Sequence, residues 1–160
     1  MKLQAPEEYG LRCLLQLASE PSGFLRVPEI ARREGLTTAY ATKLLGSLRA
    51  QGFVRSVRGQ KGGYQLARPA TEISVGEVLE ALGGRLYAPE FCFDHKADGH
   101  NCVHRVDCSV RALWAALDAA VAGVLATTNL SHLLCGERQA TVWLRRKLGT
   151  RSRGIVPRRA

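Results

Sequence analysis

The sequence predicts a mainly α-helical fold with one small β-hairpin, followed by a single long helix. Apolar residues recur at helical spacing near the start of the chain, and residues 109–128 contain a long apolar stripe at helical spacing. Between these regions, a glycine-rich basic turn separates two short segments that are typical of strands. Apolar residues make up 46% of the 160 residues, which is ordinary for a folded globular chain and argues against disorder.

The first two helices are predicted from periodicity and end signals. Residues Pro6–Ser19 have apolar side chains at helical spacing, and two glutamates in the first turn complement the helix dipole. The second helix is predicted for Pro28–Glu34, because proline is tolerated at the first helical positions. Gly35 then suits the left-handed position that commonly follows a helix.

The third helix follows after a turn of three or four residues. Thr37 or Thr38 can cap it, and its apolar residues Leu44, Leu45 and Leu48 repeat on one face until about Gln51. A short helix, a turn that contains glycine and a longer helix together predict a helix-turn-helix.

The segment after the third helix predicts a β-hairpin and then a short helix. Phe53–Val57 and Tyr64–Ala67 read as two strands around the basic turn, which is the wing of a winged helix-turn-helix domain. Ser74 then begins a capping box, and the helix ends at Gly83 and Gly84.

The most regular helical pattern in the chain runs from Ser109 to about Thr128. It predicts one long apolar stripe, which we interpret as a dimerisation helix because a winged-helix protein that reads a palindrome needs two copies. A helix that covers the core of its own subunit is the alternative. The residues predicted to form the dimer interface are Val110, Leu113, Trp114, Leu117, Val121, Val124 and Leu125.

Charge is unevenly distributed along the chain, which has a net charge of +9. Residues 1–68 contain 11 Lys/Arg and 5 Asp/Glu, residues 69–144 contain 5 and 9, and the last 16 residues contain 7 and none. A basic module for a polyanion, joined to a regulatory part, explains this distribution better than general solubility does.

Several protein classes are not expected from the sequence. We find no secretory leader and no apolar run near 18 residues, so we expect a cytoplasmic protein with no membrane partner. We also find no nucleophile–base motif, phosphate loop or nucleotide fingerprint, so we expect no enzyme activity and no small-molecule substrate.

Five cysteines fall into two groups. Cys13 and Cys135 each lie among leucines and are predicted to be small buried apolar residues. Cys92, Cys102 and Cys108 lie within 17 residues and alternate with histidines and acids, without the paired spacing of a zinc finger. Three thiolates favour zinc, copper(I) or an iron–sulfur cluster, and the spacing does not choose between them. A disulfide switch and surface thiols without a metal are further alternatives.

The whole chain up to about residue 135 resembles the IscR/NsrR-type family of winged-helix regulators, which is also called BadM-type. The segments with the resemblance are "YGLRCLLQLA", "VPEIARREGLTTAYATKLLGSLRAQGFV" and "VRSVRGQKGGYQLARPATEISVGEVLEALGG". The three-cysteine insert before "SVRALW" and the segment "TTNLSHLL" after the long helix complete it.

This resemblance implies a homodimeric transcriptional repressor that binds double-stranded operator DNA. It also implies an iron–sulfur cluster, 2Fe–2S or 4Fe–4S, on the three cysteines, whereas zinc is the alternative metal. Some members use a histidine three residues after the last cysteine, but that position is Arg111 here. Others use an N-terminal acid of the partner subunit, and Glu8 occupies the matching position. The competing fourth ligands within the loop are His95, His100 and His104.

Residues for DNA contact are expected at the start of the third helix and in the wing. Hydroxyl groups and a lysine suit phosphates and base edges, and an arginine in the wing suits a narrow minor groove. The residues are Thr37, Thr38, Tyr40, Thr42, Lys43, Arg58, Gly59 and Lys61.

These predictions divide the chain into four parts. Residues 1–84 are expected to form the DNA-binding domain, and residues 85–108 the cysteine-rich loop. Residues 109–135 are expected to contain the dimerisation helix and its end. Residues 136–160 are expected to form a flexible basic tail.

Overall fold

The structure is a computed structural model. It describes residues 4–57, 59, 62–84, 87, 91, 96–97, 100–102, 104 and 106–149. The helices in this part of the chain are α1 (Ala5–Ser19), α2 (Val27–Glu34), α3 (Thr38–Ala50), α4 (Val75–Gly83), α5 (Ser109–Ala126) and α6 (Glu137–Lys147). The strands are β1 (Val54–Val57), β2 (Gly63–Leu66), β3 (Lys96–Ala97) and β4 (His100–Asn101), and 3₁₀ turns lie at Ala70–Glu72 and Leu130–Leu133.

The predicted mainly α-helical fold with a two-stranded hairpin is confirmed, and most helix ends agree because local signals set them. The Thr37 side chain accepts a hydrogen bond from the Tyr40 backbone N–H at 3.2 Å and begins α3. Ser74 and Glu77 form the predicted capping box of α4, with reciprocal bonds of 3.1 and 3.0 Å. Gly35 ends α2 at φ 66°, a left-handed conformation that glycine adopts without a Cβ clash.

The hairpin is antiparallel and pairs Val54 with Leu66 and Val57 with Gly63. The loop before α2 adds a third strand-like contact, because the backbones of Leu25 and Tyr64 exchange hydrogen bonds of 2.9 and 2.8 Å. A Cβ on Gly63 would lie 2.3 Å from the Leu25 carbonyl oxygen, so only glycine allows this close approach. The base of the wing is therefore attached to the helical part by backbone contacts.

One apolar core joins α1, α2, α3, the hairpin and α4. The predicted inward residues Leu44, Leu45 and Leu48 are at most 3% exposed, and Cys13 is fully buried as predicted. The core also receives Leu130 from the 3₁₀ turn after α5. The N-terminal domain therefore buries its apolar residues within one subunit.

A short stretch after α5 is bonded to the segment that links the wing to α4. The Val75 backbone N–H donates to Thr128 O at 2.7 Å, and the Leu130 N–H donates to Ile73 O at 3.0 Å. The Asn129 side chain adds a bond to Thr71 O at 2.9 Å. We call residues 127–133 the junction, because they attach the C-terminal part of α5 to the DNA-binding domain.

Helix α5 has no buried residue in the single subunit. It has 18 residues with a mean hydropathy of 1.5, so by length and composition alone it could cross a membrane, but one such helix is weak evidence and does not indicate a membrane protein. The predicted stripe divides into two parts. Val121, Val124 and Leu125 are half-buried where α5 packs against α4. The exposed part consists of Val110, Leu113, Trp114 and Leu117, at 42–55% exposure.

Two expectations for the C-terminal part differ from the structure. Residues 137–147 form α6 where the sequence predicted a flexible tail, whereas residues 150–160 lie outside the described residues. Cys135 is exposed and not buried, because the turn Leu130–Leu133 sends Leu130 inward and leaves the following residues at the surface. The neighbouring Leu134 is also 42% exposed, so an apolar sequence context alone did not indicate burial here.

Candidate functional site

The helix-turn-helix presents a polar face at the N-terminal end of α3. Thr37, Thr38, Thr42 and Lys43 are exposed, while the opposite face of the same helix fills the core. The first turn of α3 contains no acidic residue, so the positive end of the helix dipole faces outward without a competing carboxylate. This arrangement suits phosphate oxygens and base edges of DNA.

The threonines of this face are not equivalent. The Thr42 hydroxyl donates its hydrogen to Thr38 O at 2.7 Å within the helix. Its lone pairs remain able to accept, which suits an amino group on a base better than a phosphate oxygen. Thr37 is already the acceptor of the Tyr40 N–H, so its hydroxyl hydrogen is the group that can reach a phosphate.

Tyr40 differs from the other predicted contacts because its ring is half-buried. It packs edge to face on Tyr9 of α1, with ring centroids 6.2 Å apart and an interplanar angle of 82°. Such pairs contribute about 0.5–1.5 kcal/mol beyond simple burial. Tyr40 therefore holds the start of α3 against α1 in addition to any contact with DNA.

A polar link between α1 and the helix-turn-helix was not found from the sequence. Glu34, the last residue of α2, has a side chain only 8% exposed, and it accepts a hydrogen bond from Gln16 at 2.5 Å. The guanidinium of Arg12 lies 3.8 Å from the same carboxylate. This contact was difficult to predict from the sequence, because an acidic residue at the end of a basic helix is usually expected to face solvent.

The wing is described only in part. Gly59 lies in its turn, where its carbonyl accepts a hydrogen bond from Gly62 N at 2.8 Å. Arg58 and Lys61 lie outside the described residues, so their predicted contact with DNA stays a prediction.

Two of the three clustered cysteines are described. Cys102 and Cys108 are half-buried and neither forms a disulfide, while Cys92 lies outside the described residues. Cys108 is the N-cap residue of α5, and its sulfur accepts the Arg111 backbone N–H at 3.4 Å. Backbone donors at a helix N-terminus favour a negatively charged group, which suits a thiolate that ligates a metal.

The proposed fourth ligands are placed as follows. Glu8 lies on the exposed side of α1, and its carboxylate accepts a hydrogen bond from Arg12 at 2.7 Å. His104 is exposed, the backbone of His100 lies in β4, and His95 is outside the described residues. Within the described ranges no three His, Cys, Asp or Glu side chains converge on one point, and the three-cysteine set is not tested because Cys92 is missing from them.

Cys13 is excluded as a ligand by its position in the core. Burial away from water, and to a smaller extent the nearby Glu34 carboxylate, raise the pKa of the Cys13 thiol to about 12. The thiol therefore stays protonated at neutral pH and acts as a packing residue, as the sequence predicted.

One contact of the cysteine-rich segment with α5 was also missed. The Tyr87 backbone N–H donates to the Asp118 carboxylate at 3.2 Å. Asp118 is the only acid on the mainly apolar α5, and this isolation was the available signal. The start of the cysteine-rich segment is thereby attached to the middle of the long helix.

Comparison with known proteins agrees with this geometry. Residues 3–136 match Rrf2, described as "Iron-dependent Transcriptional regulator". The chain belongs to the Rrf2 family. The resemblance to IscR-type regulators is thus confirmed, as is the winged-helix fold. The chain is 35% identical to the protein rrf2 of Nitratidesulfovibrio vulgaris over 135 residues, which are 84% of this chain and 87% of the relative.

Two solved structures show how the family members resemble this chain. The oxidised form of CymR from Staphylococcus aureus is 34% identical, with a TM-score of 0.65 over 84% of this chain and 96% of CymR. IscR of T. potens is 25% identical, with a TM-score of 0.65 over 96% of this chain and 94% of IscR. This Rrf2-family protein is therefore a DNA-binding regulator of transcription.

Proposed function

We propose that this chain is a cytoplasmic, homodimeric repressor that binds operator DNA and senses iron, redox state or nitric oxide through an iron–sulfur cluster. The observation that supports the proposal most directly is the exposed polar face of α3 in a family described as iron-dependent regulators. Residues 1–84 would bind DNA, residues 85–108 would hold the cluster, and α5 would form the dimer.

The donor set fits an iron–sulfur cluster. Cysteine thiolates are its usual protein ligands, and both Cys102 and Cys108 are free and half-buried. Cys92 would be the third ligand and Glu8 of the partner subunit the fourth. The cluster would supply a redox-active iron centre that reacts with oxygen or nitric oxide. Its protein attachment would connect the first helix of one subunit to the N-terminus of α5 in the other.

The dimer proposal is supported by the exposed N-terminal half of α5. Val110, Leu113, Trp114 and Leu117 form a contiguous apolar surface, which in a soluble DNA-binding protein marks a site of association. A second α5 would cover this surface, since symmetric dimers pair the same patch of each subunit. Two recognition helices would then face successive major-groove segments about 34–36 Å apart.

Metal content is the first test of the cluster. We expect protein purified without oxygen to be coloured, with equal amounts of iron and inorganic sulfide. Cys102→Ala should abolish the colour, whereas Cys135→Ala should retain it because Cys135 lies after the junction and outside the cysteine-rich segment. Zinc near one per chain without visible absorbance would replace the iron–sulfur proposal by a zinc site.

DNA binding requires a separate test. Duplexes selected from a random library by the wild-type protein should contain a palindromic sequence, and Lys43→Ala should weaken binding to them. Lys43 is exposed on α3, so its loss should leave the fold intact. A selection that yields no common sequence would contradict operator binding while leaving the metal result unaffected.

A thiol switch is the second candidate function. CymR from S. aureus is known in an oxidised form, and that form is 34% identical to this chain. Cys102, Cys108 and the exposed Cys135 are free thiols here. If neither iron nor zinc is bound and operator binding changes with a thiol oxidant, the switch is the function.

A further inference from the structure

Helix α6 lies outside the segment that matches the family, because the match ends at residue 136 and α6 begins at Glu137. The predicted DNA-binding residues and the cysteine-rich segment also lie before this helix in the chain. The function proposed above therefore does not account for the surface of α6.

One side of α6 is attached to the junction. The Trp143 ring stacks on the His132 ring, with centroids 4.2 Å apart and an interplanar angle of 22°. The Lys147 ammonium lies over the Trp143 ring, 4.5 Å from its centroid, and also donates to the Thr127 carbonyl at the end of α5. Because these contacts hold the helix in place, its outer surface has a defined shape.

The outer surface of α6 has a shallow groove between two rows of side chains. Residues four positions apart on a helix form a ridge, and the space between neighbouring ridges is the groove into which another helix packs. Arg138, Val142 and Arg146 form one ridge, and Gln139 and Trp143 belong to the next. The same five residues line the groove. It therefore has the form of a helix-packing site.

The groove is apolar along its middle and positively charged at both ends. Val142 is 60% exposed, so a large apolar side chain of this helix is left in water. Arg138 and Arg146 are also exposed, and in the part of the chain that the structure describes their guanidinium groups have no hydrogen-bond or ion-pair partner. They are eight residues apart, or about 12 Å along the axis. A complementary surface therefore needs an apolar side chain between two carboxylates.

Three other occupants complement this pattern less well. Symmetric pairing with α6 of a second copy would bring the arginines of both copies together, and like charges at an interface are unfavourable. The phosphates of a nucleic acid would pair with the arginines but would leave Val142 in water. Residues 148–160 of this chain contain four arginines and no acid, so they do not supply the carboxylates. The charges therefore favour a segment of a different protein.

We propose that the groove of α6 binds an acidic amphipathic helix of a partner protein. The partner helix packs a ridge of its own into the groove, with an apolar side chain on Val142 and a carboxylate four residues away on each side. These carboxylates pair with Arg138 and Arg146, because a guanidinium can form two parallel hydrogen bonds with a carboxylate. This interaction goes beyond the proposed binding of DNA and of a metal cluster, and it requires neither of them.

The test selects ligands from a displayed library of helical peptides with one randomised face, and the full-length protein is the target. We expect the enriched peptides to contain an apolar residue with Asp or Glu four positions before it and four positions after it. The most enriched peptide, made synthetically, should bind Arg138→Gln/Arg146→Gln about 2–30-fold more weakly than wild type, because two exposed ion pairs are lost. Fluorescence anisotropy of the labelled peptide measures both dissociation constants.

Three further variants separate the charge of the groove from folding and from total charge. A selection against Arg138→Glu/Arg146→Glu should enrich Lys or Arg at the two outer positions of the peptide. Arg138→Lys/Arg146→Lys keeps the charge and should bind the synthetic peptide more tightly than the glutamine variant does. Arg32→Gln/Arg49→Gln removes the same charge from exposed positions on α2 and α3 and should leave peptide binding unchanged. Thermal unfolding checks that each variant folds, which is expected because the contacts with the junction involve none of these arginines.

A selection that enriches no peptide, or only peptides without acids at the two outer positions, would overturn the proposal. Equal binding of the synthetic peptide to wild type and to the glutamine variant would overturn it too. Loss of self-association by that variant in analytical ultracentrifugation, with peptide binding unaltered, would assign the groove to a second copy. Loss of binding to a random duplex, again with peptide binding unaltered, would assign the groove to DNA, and the proposal would be wrong in both cases.

Discussion

The N-terminal domain of this protein buries its apolar residues, whereas the C-terminal part exposes many of its own. Among the described residues, every buried apolar side chain except Leu130 belongs to residues 13–78. Within the same described residues, every large apolar side chain that is exposed belongs to residues 91–148. The first region completes its core within one chain, whereas the second presents an apolar surface that one chain leaves open. We therefore expect the exposed surface of the second region to be covered by the partner subunit of the proposed dimer.

The largest effect is expected from a cavity in the core of the first region. Leu45→Ala removes a fully buried side chain from α3, and we expect the free energy of unfolding to fall by about 2–5 kcal/mol. Denaturant unfolding at one fixed protein concentration measures it, since the stability of the proposed dimer would depend on concentration. The matched control Val142→Ala changes an exposed residue and should cost less than about 0.5 kcal/mol. An equal loss of unfolding free energy in both variants would contradict the difference in burial between the two regions.

The next effect concerns association and not folding. Leu117→Asp places a charge on the exposed face of α5, and we expect the dimer dissociation constant to rise at least about 30-fold, as for a central interface residue. Analytical ultracentrifugation gives the mass of each species. Val106→Asp is the control, because Val106 is 96% exposed and lies before the helix. If wild type is monomeric, or if both variants behave alike, α5 is not the interface.

The smallest effect distinguishes the buried thiol of the first region from the thiols of the second. The pKa of Cys13 is about 12 in the folded protein and 9.0 is its ordinary value, so above pH 9 the unfolded state loses a proton that the folded state keeps. Stability should therefore fall as pH rises from 9 to 10, by at most about 1.4 kcal/mol from this group. Cys13→Ala should make the free energy of unfolding depend less on pH than in wild type. The smaller alanine side chain should lower that free energy by the same amount at every pH.

A thiol reagent provides an independent check of the same contrast. At neutral pH Cys135 should react in the folded protein, and Cys13 should react only after unfolding, because one is exposed and the other is fully buried. Rapid labelling of Cys13 in native protein would show that the core opens at α1 and would contradict the pKa argument.

Features that depend on a few neighbouring residues could be predicted from the sequence. The caps at Thr37 and Ser74, the turn at Gly35 and the hairpin all appear where the sequence indicated them. Each is determined by hydrogen bonds or backbone conformations within three or four residues. The polar face of α3 follows from the same periodicity, so the candidate DNA-binding residues of that helix could be named in advance.

Long-range contacts could not be predicted in this way. The half-buried Glu34 and the bond between Tyr87 and Asp118 join residues that are 18 or 31 positions away from their partners in the chain. Nothing in the local sequence states which distant donor reaches a given carboxylate. For the same reason the cysteine spacing did not select a metal, since ligand geometry is a property of the folded loop.

The mainly helical winged helix-turn-helix fold and the composition of each helix face follow from the order of residues along the chain. The exposure of Cys135, in contrast to the buried Cys13, follows from tertiary packing, because both cysteines lie among leucines. Tertiary packing also decided that half of the α5 stripe packs on α4, and that α6 is attached through Trp143 and His132 instead of forming a free tail. Hydrophobicity states which residues favour burial, but the available surfaces of the folded chain decide which of them achieve it.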